Sequence, residues 1–290
     1  DSQSGAFLPY AQTSAFNLQQ GAMLSWIDAG YGDEFTFNFI EKDGSLVSKA
    51  INAQTHAERT IEGAISAVST AKPIAASLNY IRNFKCRKVV GYDIGQDESD
   101  VNWYPDDEGI GIIDLKTGKK KIILSVKEVV EANPMPQTKL GPAWLDHVVF
   151  NPSGTHIFFM CRIKMPDRRF LSSFWTVAVD GSELRCHVDY RYHSSHFDWR
   201  DDDRILLSSQ VLGPMRFVEL NRHGGEIQPF GGDVLPKDGH ACYSPDRRWI
   251  LSDCGSETGE DGRAKELFLY HVQSGRKISL GTFGFDAKFV

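Results

Sequence analysis

Three segments of this chain begin with a histidine and then follow one pattern. HVVFNPSGTHIFF from His147 and HACYSPDRRWILS from His240 both have an aromatic residue three positions after the histidine, then Asn or Ser, Pro, a turn, and Ile ten positions after the histidine. HFDWRDDDRILLS from His196 has the same aromatic position, with its Ile one position earlier. The histidines are separated by 49 and 44 residues, which is close to the length of a four-stranded propeller blade.

The residues between these histidines predict an all-β protein. Short runs rich in β-branched and aromatic residues alternate with the tight-turn signals KDG, KTG, VDG and QSG, as in successive hairpins. Only SVKEVVEA has a helical pattern. We predict a single β-propeller domain over residues 1–290, with five blade-like units within residues 22–282 that begin near Met23, Ile65, His147, His196 and His240.

A propeller would bring the three histidines to one face. Equivalent positions of successive blades are related by rotation about the central axis. We therefore expect His147, His196 and His240 to face the axial funnel within roughly 15 Å of one another. The alternative is that each histidine only forms hydrogen bonds within its own blade.

Composition excludes several classes of function. The formal net charge of -6 provides no basic surface for nucleic acid. No apolar run reaches the 18 or so residues of a membrane span, so we expect a soluble protein. No signal peptide is visible at Asp1, and the compartment, cytoplasmic or periplasmic, stays open. The sequence leaves the oligomeric state open. The five cysteines form no Cys-x-x-Cys pair, which favours reduced thiols.

Several blocks resemble the oligogalacturonate-lyase-like propellers, a group whose fold some ulvan lyases share. The most specific are SSHFDWRDDDRIL and DGHACYSPDRRWILSD, and QTSAFNLQQGAMLSW and LDHVVFNPSGTHIFF extend the resemblance over nearly the whole chain. It implies a seven-bladed propeller. Because a propeller closes its ring by completing one blade with a flanking strand from the other end, we expect part of the last blade to be missing from this sequence. The resemblance also implies a polysaccharide lyase that cleaves uronate-containing chains by β-elimination, with an acidic oligosaccharide or polysaccharide as its partner.

The resemblance assigns roles to the histidines. His196 matches the base that removes the proton, His240 matches a metal ligand, and His147 matches a funnel histidine near the reaction. Elimination also needs a cation beside the uronate carboxylate. Because arginine can bind a carboxylate with two parallel hydrogen bonds, we take Arg162 as the first candidate.

Three weaker candidates could bind substrate. Arg168 and Arg169 lie on the loop after Arg162, although exposed loop arginines are usually only solvated. Tyr92 in VVGYDIG matches a Gly-Tyr segment common in the group, although packing is the more frequent role of such a tyrosine.

Two features depart from the lyase pattern. A divalent metal (Mn, Ca or Zn) needs four or more ligands, and beyond His240 only His271 follows, so the remaining ligands are not evident. Phe84 also stands where relatives often have histidine. A non-catalytic propeller that binds carbohydrate or protein therefore remains the alternative, and a peptidase-associated propeller is a weaker one. DESDVNWYPDDEG lacks the ligand spacing of an EF-hand, which favours a solvated loop over a calcium site.

Overall fold

The computed structural model describes residues 5, 9–27, 32–97, 101–235, 238–253 and 264–284. Within these ranges the chain consists of β-strands and a few short helices. The strands are β1 (Ser25–Trp26), β2 (Glu34–Ile40), β3 (Leu46–Asn52), β4 (Glu58–Glu62), β5 (Ile65–Val68), β6 (Ile74–Ser77), β7 (Gly109–Asp114), β8 (Lys119–Ser125), β9 (Ala143–Phe150), β10 (His156–Lys164), β11 (Phe170–Ala178), β12 (Arg185–Val188), β13 (Ser194–Trp199), β14 (Arg204–Ser209), β15 (Arg216–Asn221), β16 (Gln228–Pro229), β17 (Cys242–Tyr243), β18 (Trp249–Ser252), β19 (Ala264–His271) and β20 (Lys277–Gly284). The helices are α1 (Tyr80–Cys86), α2 (Val126–Ala132) and the 3-10 turns Lys88–Val90, Pro136–Leu140 and Gly232–Val234.

The strands form antiparallel sheets of four consecutive strands each. Over the described ranges there are five: sheet 1 (β1–β4), sheet 2 (β5–β8), sheet 3 (β9–β12), sheet 4 (β13–β16) and sheet 5 (β17–β20). Their first strands begin at Ser25, Ile65, Ala143, Ser194 and Cys242. The prediction of an all-β chain with five blade-like units is therefore confirmed, as is the helix at SVKEVVEA. A seven-bladed ring with an incomplete last blade stays a prediction.

Two compact units make up the chain. The first comprises residues 1–131 and 141–146, and the second comprises residues 132–140 and 147–290. Sheets 1 and 2 belong to the first unit, and sheets 4 and 5 belong to the second. A single domain over residues 1–290 stays a prediction. No helix in the described part of the chain has the length and hydropathy needed to cross a bilayer.

The hairpin turns follow from local hydrogen bonds. Between β7 and β8, the Asp114 carboxylate accepts hydrogen bonds from the backbone amides of Lys116 at 2.7 Å and Thr117 at 3.1 Å. Gly118 then takes a φ of 70°, a left-handed conformation that glycine adopts at little cost. The DLKTG segment therefore reverses the chain and sets β8 beside β7.

The aromatic residue of the histidine repeat belongs to the core. Side chains alternate along a strand, so residues three positions apart point to opposite faces. Trp199, three residues after His196, is 1% exposed and packs edge to face against Phe158 with ring centroids 6.3 Å apart. Its indole Nε1 donates a hydrogen bond to the carbonyl oxygen of Val149 on β9 at 3.0 Å. The aromatic position of the repeat therefore contributes to core packing, independently of the histidine.

Replacing Trp199 should destabilise the second unit. In Trp199→Phe the Val149 carbonyl loses its buried donor and a small cavity is left, so we expect a loss of about 2–3 kcal/mol in the free energy of unfolding. Urea denaturation followed by circular dichroism measures the change. Trp26→Phe is the matched control because Trp26 is 56% exposed, and its effect should stay within about 0.5 kcal/mol. Equal effects of the two substitutions would contradict this account of the core.

Candidate active site

His196 lies in an irregular part of β13. Ser194 pairs with Ser209 and Phe197 pairs with Leu207, so Ser195 and His196 together face the single residue between these partners. Such a bulge changes the direction of a side chain and is frequent beside functional sites. The His196 imidazole is 32% exposed, and its Nδ1 lies 2.8 Å from Oδ1 of Asp238. The bulge therefore directs the imidazole out of the sheet, toward the segment that precedes β17.

His240 has a carboxylate partner of its own. Asp253, directly after β18, accepts a hydrogen bond from the His240 backbone amide at 2.6 Å and lies 2.9 Å from the His240 Nδ1. The imidazole rings of His196 and His240 are in contact, with centroids 3.9 Å apart and planes inclined by 51°. Two of the three repeated histidines therefore meet, each bound to a different aspartate. We call these four residues the histidine–aspartate cluster.

The cluster is held by contacts between the first strands of sheets 4 and 5. The Asp198 carboxylate accepts a hydrogen bond from the Tyr243 backbone amide at 2.8 Å and another from the Trp199 amide at 2.8 Å. The Arg247 guanidinium donates to the Trp199 carbonyl oxygen at 3.0 Å. Burial raises the pKa of Asp198, and these two amide bonds oppose that effect. The strands that carry the two histidines are therefore joined directly.

Charge and hydrogen bonding favour ionised aspartates in the cluster. Burial alone would raise the pKa of Asp238, but the hydrogen bond and the charge of His196, with further hydrogen bonds from Ser208 and Ser195, lower it to about 2. Burial also opposes ionisation of Asp253, and the hydrogen bonds from His240 outweigh it and lower the pKa. Both carboxylates are thus ionised at neutral pH. An ionised carboxylate accepts the Nδ1 proton, so each imidazole presents Nε2 as its basic nitrogen.

The other catalytic candidates of the second unit lie on sheet 3. Arg162 on β10 is 6% exposed; its Nε donates to the Ser172 hydroxyl at 3.2 Å, and its guanidinium lies 4.8 Å from the centre of the Phe170 ring. His147 on β9 is half-buried and has a φ of 51°, which is uncommon for a residue other than glycine. The expected approach of His147 to the other two histidines stays a prediction.

The candidates for substrate binding differ in exposure. Arg168 and Arg169 are exposed in the turn between β10 and β11, and Arg169 pairs with Asp167 at 2.7 Å. Tyr92 has no exposed surface; its ring stacks on Tyr80 at 4.6 Å and its hydroxyl accepts a hydrogen bond from Asn38 at 2.9 Å. Burial raises the pKa of Tyr92 to about 12. This position is that of a packing residue, the alternative that the sequence left open.

The described residues do not complete a metal site. Over those ranges, no three His, Cys, Asp or Glu side chains are grouped so that they could hold a metal ion. In the cluster, the Nδ1 atoms of both histidines are already bonded to carboxylates. Such pairs are frequent behind metal-binding histidines, but two imidazoles alone are too few ligands for a divalent ion.

Neither aspartate of the cluster is among the site residues that the sequence predicts. Asp238 is 42 residues from His196, and Asp253 is 13 residues from His240. The one signal within reach was the segment DGH, which sets a carboxylate two residues before the metal-ligand candidate. Pairing that aspartate with His196 required the three-dimensional arrangement of sheets 4 and 5.

Comparison with solved structures assigns the fold. Oligogalacturonate lyase in complex with manganese has a TM-score of 0.55 and 12% identity, covering 88% of this chain and 64% of that chain. The tricorn protease has a TM-score of 0.55 and 11% identity, covering 89% and 26%. An acylaminoacyl peptidase of Pyrococcus horikoshii has a TM-score of 0.53 and 12% identity, covering 91% and 40%. This chain has a β-propeller fold.

These similarities extend no further than the fold. Each identity is far below the level at which activity can be transferred, and one propeller fold hosts many functions. The chain spans less than two thirds of the length of each of these three proteins. No family model and no curated protein sequence matches the chain.

The Asp238 contact can be tested through the tautomer of His196. In Asp238→Asn the negative charge that favours a proton on Nδ1 is lost, so the share of the Nε2–H tautomer should rise. Imidazole ¹⁵N chemical shifts of histidine-labelled protein at neutral pH report this ratio. Asp180→Asn, at an exposed turn of sheet 3 where the carboxylate bonds Ser182, is the control and should leave the His196 signals unchanged. Identical His196 shifts in Asp238→Asn and the parent protein would refute the assigned contact.

Proposed function

We propose that the protein is a lyase that cleaves uronate-containing oligosaccharides by β-elimination, with His196 as the base. The observation that carries this proposal is the bond between His196 Nδ1 and the Asp238 carboxylate at 2.8 Å. A partly exposed imidazole that is oriented by an ionised carboxylate presents its other ring nitrogen as a proton acceptor. The resemblance of the SHFDWRDD and DGH blocks to oligogalacturonate-lyase-like propellers, and the TM-score of 0.55 with an oligogalacturonate lyase, support the choice of reaction.

The proposed reaction is one elimination. His196 Nε2 takes the C5 proton of the uronate, the released electron pair forms the C4–C5 double bond, and the C4–O bond breaks. The departing glycosidic oxygen takes up a proton from solvent. The barrier is high because the adjacent carboxylate opposes the negative charge that develops at C5, so a cation beside that carboxylate should accelerate the reaction.

Arg162 is the proposed cation. Ser172 and Phe170 fix its Nε and one guanidinium face, and a fixed guanidinium can bind a carboxylate with less loss of entropy than a mobile side chain. In the same proposal, Arg168 and Arg169 contact carboxylates of sugar residues farther along the oligosaccharide. His147 lies beside the sugar that reacts. Tyr92, which is fully buried, would act through packing within the first unit and not through contact with the substrate.

The second candidate function is that of a propeller that binds a ligand or a protein without catalysing a reaction. The tricorn protease and the acylaminoacyl peptidase match as well as the lyase does, with TM-scores of 0.55 and 0.53, and this chain spans 26% and 40% of them. Such similarity favours a scaffold that presents its surface to a ligand or to another domain. The activity assay separates the two functions because only the lyase forms an unsaturated uronate.

Loss of the His196 imidazole should abolish most of the turnover. We expect His196→Ala to lower kcat by about 10² or more, as the loss of a general base typically does, while the thermal unfolding temperature stays close to that of the parent protein. The ultraviolet absorbance of unsaturated product, measured over a panel of uronate polymers, gives the rate. His223→Ala, which removes a histidine that is 57% exposed, is the control and should keep full activity. If the folded parent protein forms no product from any uronate polymer, the lyase proposal is wrong and the binding function remains.

Replacing Arg162 tests the carboxylate contact. Arg162→Lys keeps the positive charge but loses the bidentate geometry, so we expect kcat/KM to fall by about ten-fold or more. The control is Arg204→Lys, at a turn where Arg204 pairs with Asp201. Unchanged kinetics in Arg162→Lys would remove Arg162 from the proposed site and leave the role of His196 intact.

A divalent metal enters the proposal only as an ion bound by His240. Residues outside the described ranges would have to complete its coordination, and the bound ion would add positive charge near the substrate carboxylate without itself taking part in a bond-making step. We expect a chelator to lower product formation by the parent protein and added Mn²⁺ to restore it, whereas His240→Ala should show no response to either. Full activity of chelated parent protein, together with the absence of bound metal by elemental analysis, would exclude this part of the proposal.

A further inference from the structure

The first compact unit contains a cavity with an exposed tryptophan. The cavity measures about 250 Å³ and lies between the loop at residues 102–106 and helix α2. Trp103 is 45% exposed, and its ring packs edge to face against Tyr104 with centroids 6.2 Å apart. The other lining residues are Asn102, Asp106, Lys127, Val130 and Glu131. A large aromatic ring is thus left half exposed beside several polar groups.

The loop that carries this ring is firmly held. Arg82, which is only 5% exposed, donates through its Nη2 atom to the carbonyl oxygens of Asn102 at 2.8 Å and Trp103 at 3.1 Å. The Ala143 amide also donates to the Trp103 carbonyl at 3.1 Å, and the Lys127 amide donates to the Pro105 carbonyl at 3.1 Å. A buried guanidinium is costly unless it forms such bonds. The backbone of Trp103 is therefore fixed. Binding of a ligand to this ring then costs little conformational entropy of the loop.

The lining is suited to a sugar ring. A pyranose has an apolar C–H face and an equatorial rim of hydroxyl groups, so it pairs an aromatic surface with nearby donors and acceptors. Lys127 and Asp106 lie 4.0 Å apart and are exposed by 46% and 77%, which leaves both able to reach a hydroxyl group. A cavity of about 250 Å³ is smaller than those that bind drug-sized ligands, and one ring is an appropriate occupant.

The charges select against an acidic sugar. Lys127 is the one cation of the lining, and it pairs with Asp106 at 4.0 Å, while Glu131 is a second carboxylate of the lining. The nearby Glu108 is paired with the Arg82 guanidinium at 3.5 Å. The lining therefore carries a net negative charge, which lowers its affinity for a uronate and not for a neutral sugar.

We propose that this cavity binds a neutral hexopyranose residue, with one sugar face on Trp103 and hydroxyl groups on Asp106, Lys127 and Glu131. The site goes beyond the proposed lyase function and does not rest on it. All of its residues belong to the first compact unit, whereas the histidine–aspartate cluster belongs to the second.

Equilibrium binding tests the proposal without any measurement of turnover. The probes are methyl glycosides of neutral hexopyranoses, their disaccharides, and the methyl glycoside of galacturonic acid as the charged comparison. Tryptophan fluorescence and isothermal titration calorimetry report binding to the full chain. We expect saturable binding of at least one neutral probe, and weaker binding of the uronide.

Variants locate the binding site. Trp103→Ala should weaken binding by about ten-fold or more, because the stacking surface is lost, while Trp103→Tyr should keep most of the affinity. Trp26→Ala is the matched control: Trp26 is also in the first unit, is 56% exposed and packs edge to face on Phe35 at 5.8 Å. Thermal unfolding of each variant confirms that it is folded.

Three results would overturn the proposal. These are the absence of saturable binding of every neutral probe, equal weakening in Trp103→Ala and Trp26→Ala, and tighter binding of the uronide than of the neutral sugars. A cationic peptide that binds through Trp103 when no sugar does would assign the cavity to a protein partner instead.

Discussion

The half-buried carboxylate of Asp198 is the constraint on which the candidate active site depends. It accepts one hydrogen bond from within its own strand and one from Tyr243 in the first strand of the next sheet. Burial raises its pKa, and the hydrogen bonds from the two amides oppose this effect and favour the ionised form. His196 lies two residues before this carboxylate, and His240 lies three residues before Tyr243. Fixing the two strands at this point therefore fixes the distance between the two imidazoles.

The short distance between the imidazoles has an electrostatic consequence. With ring centroids 3.9 Å apart, two imidazolium cations would repel each other strongly unless negative charge lay close to both. Asp238, two residues before His240, and Asp253, thirteen residues after it, provide that negative charge. Each aspartate also holds the Nδ1 of one ring, so the basic Nε2 atoms are defined by the same contacts that balance the charge. Orientation and charge balance are thus achieved by the same two residues, which is the arrangement that the proposed role of His196 requires.

The sequence predicted the strands better than the site, for physical reasons. Each sheet of four consecutive strands is built from hairpins, and hairpins depend on neighbouring residues such as Asp114 and Gly118, whose pattern is visible in the chain. The meeting of His196 and His240 could be predicted because the repeat relates them by a known rotation. Their aspartates could not, since Asp238 and Asp253 lie outside the repeat and make contacts that depend on loop conformation. The irregular pairing at Ser195 and His196 likewise has no signal in the residue types. For Tyr92 the sequence left substrate contact and packing open, and its full burial favours packing.

The repeat itself explains why a recurring histidine is weak evidence for chemistry when taken alone. Its aromatic position recurs within the chain for packing, as the burial of Trp199 and Tyr243 illustrates. What distinguishes His196 and His240 is supplied by other segments: a bulge that redirects one ring, and two aspartates that bind the rings. His147 shares the repeat, but its backbone is left-handed, and it lies on sheet 3 and not beside the first strands of sheets 4 and 5. Function in such a fold is therefore determined by the irregular residues around the repeat, and a search for active sites in related propellers should begin with carboxylates that lie in loops beside the first strands.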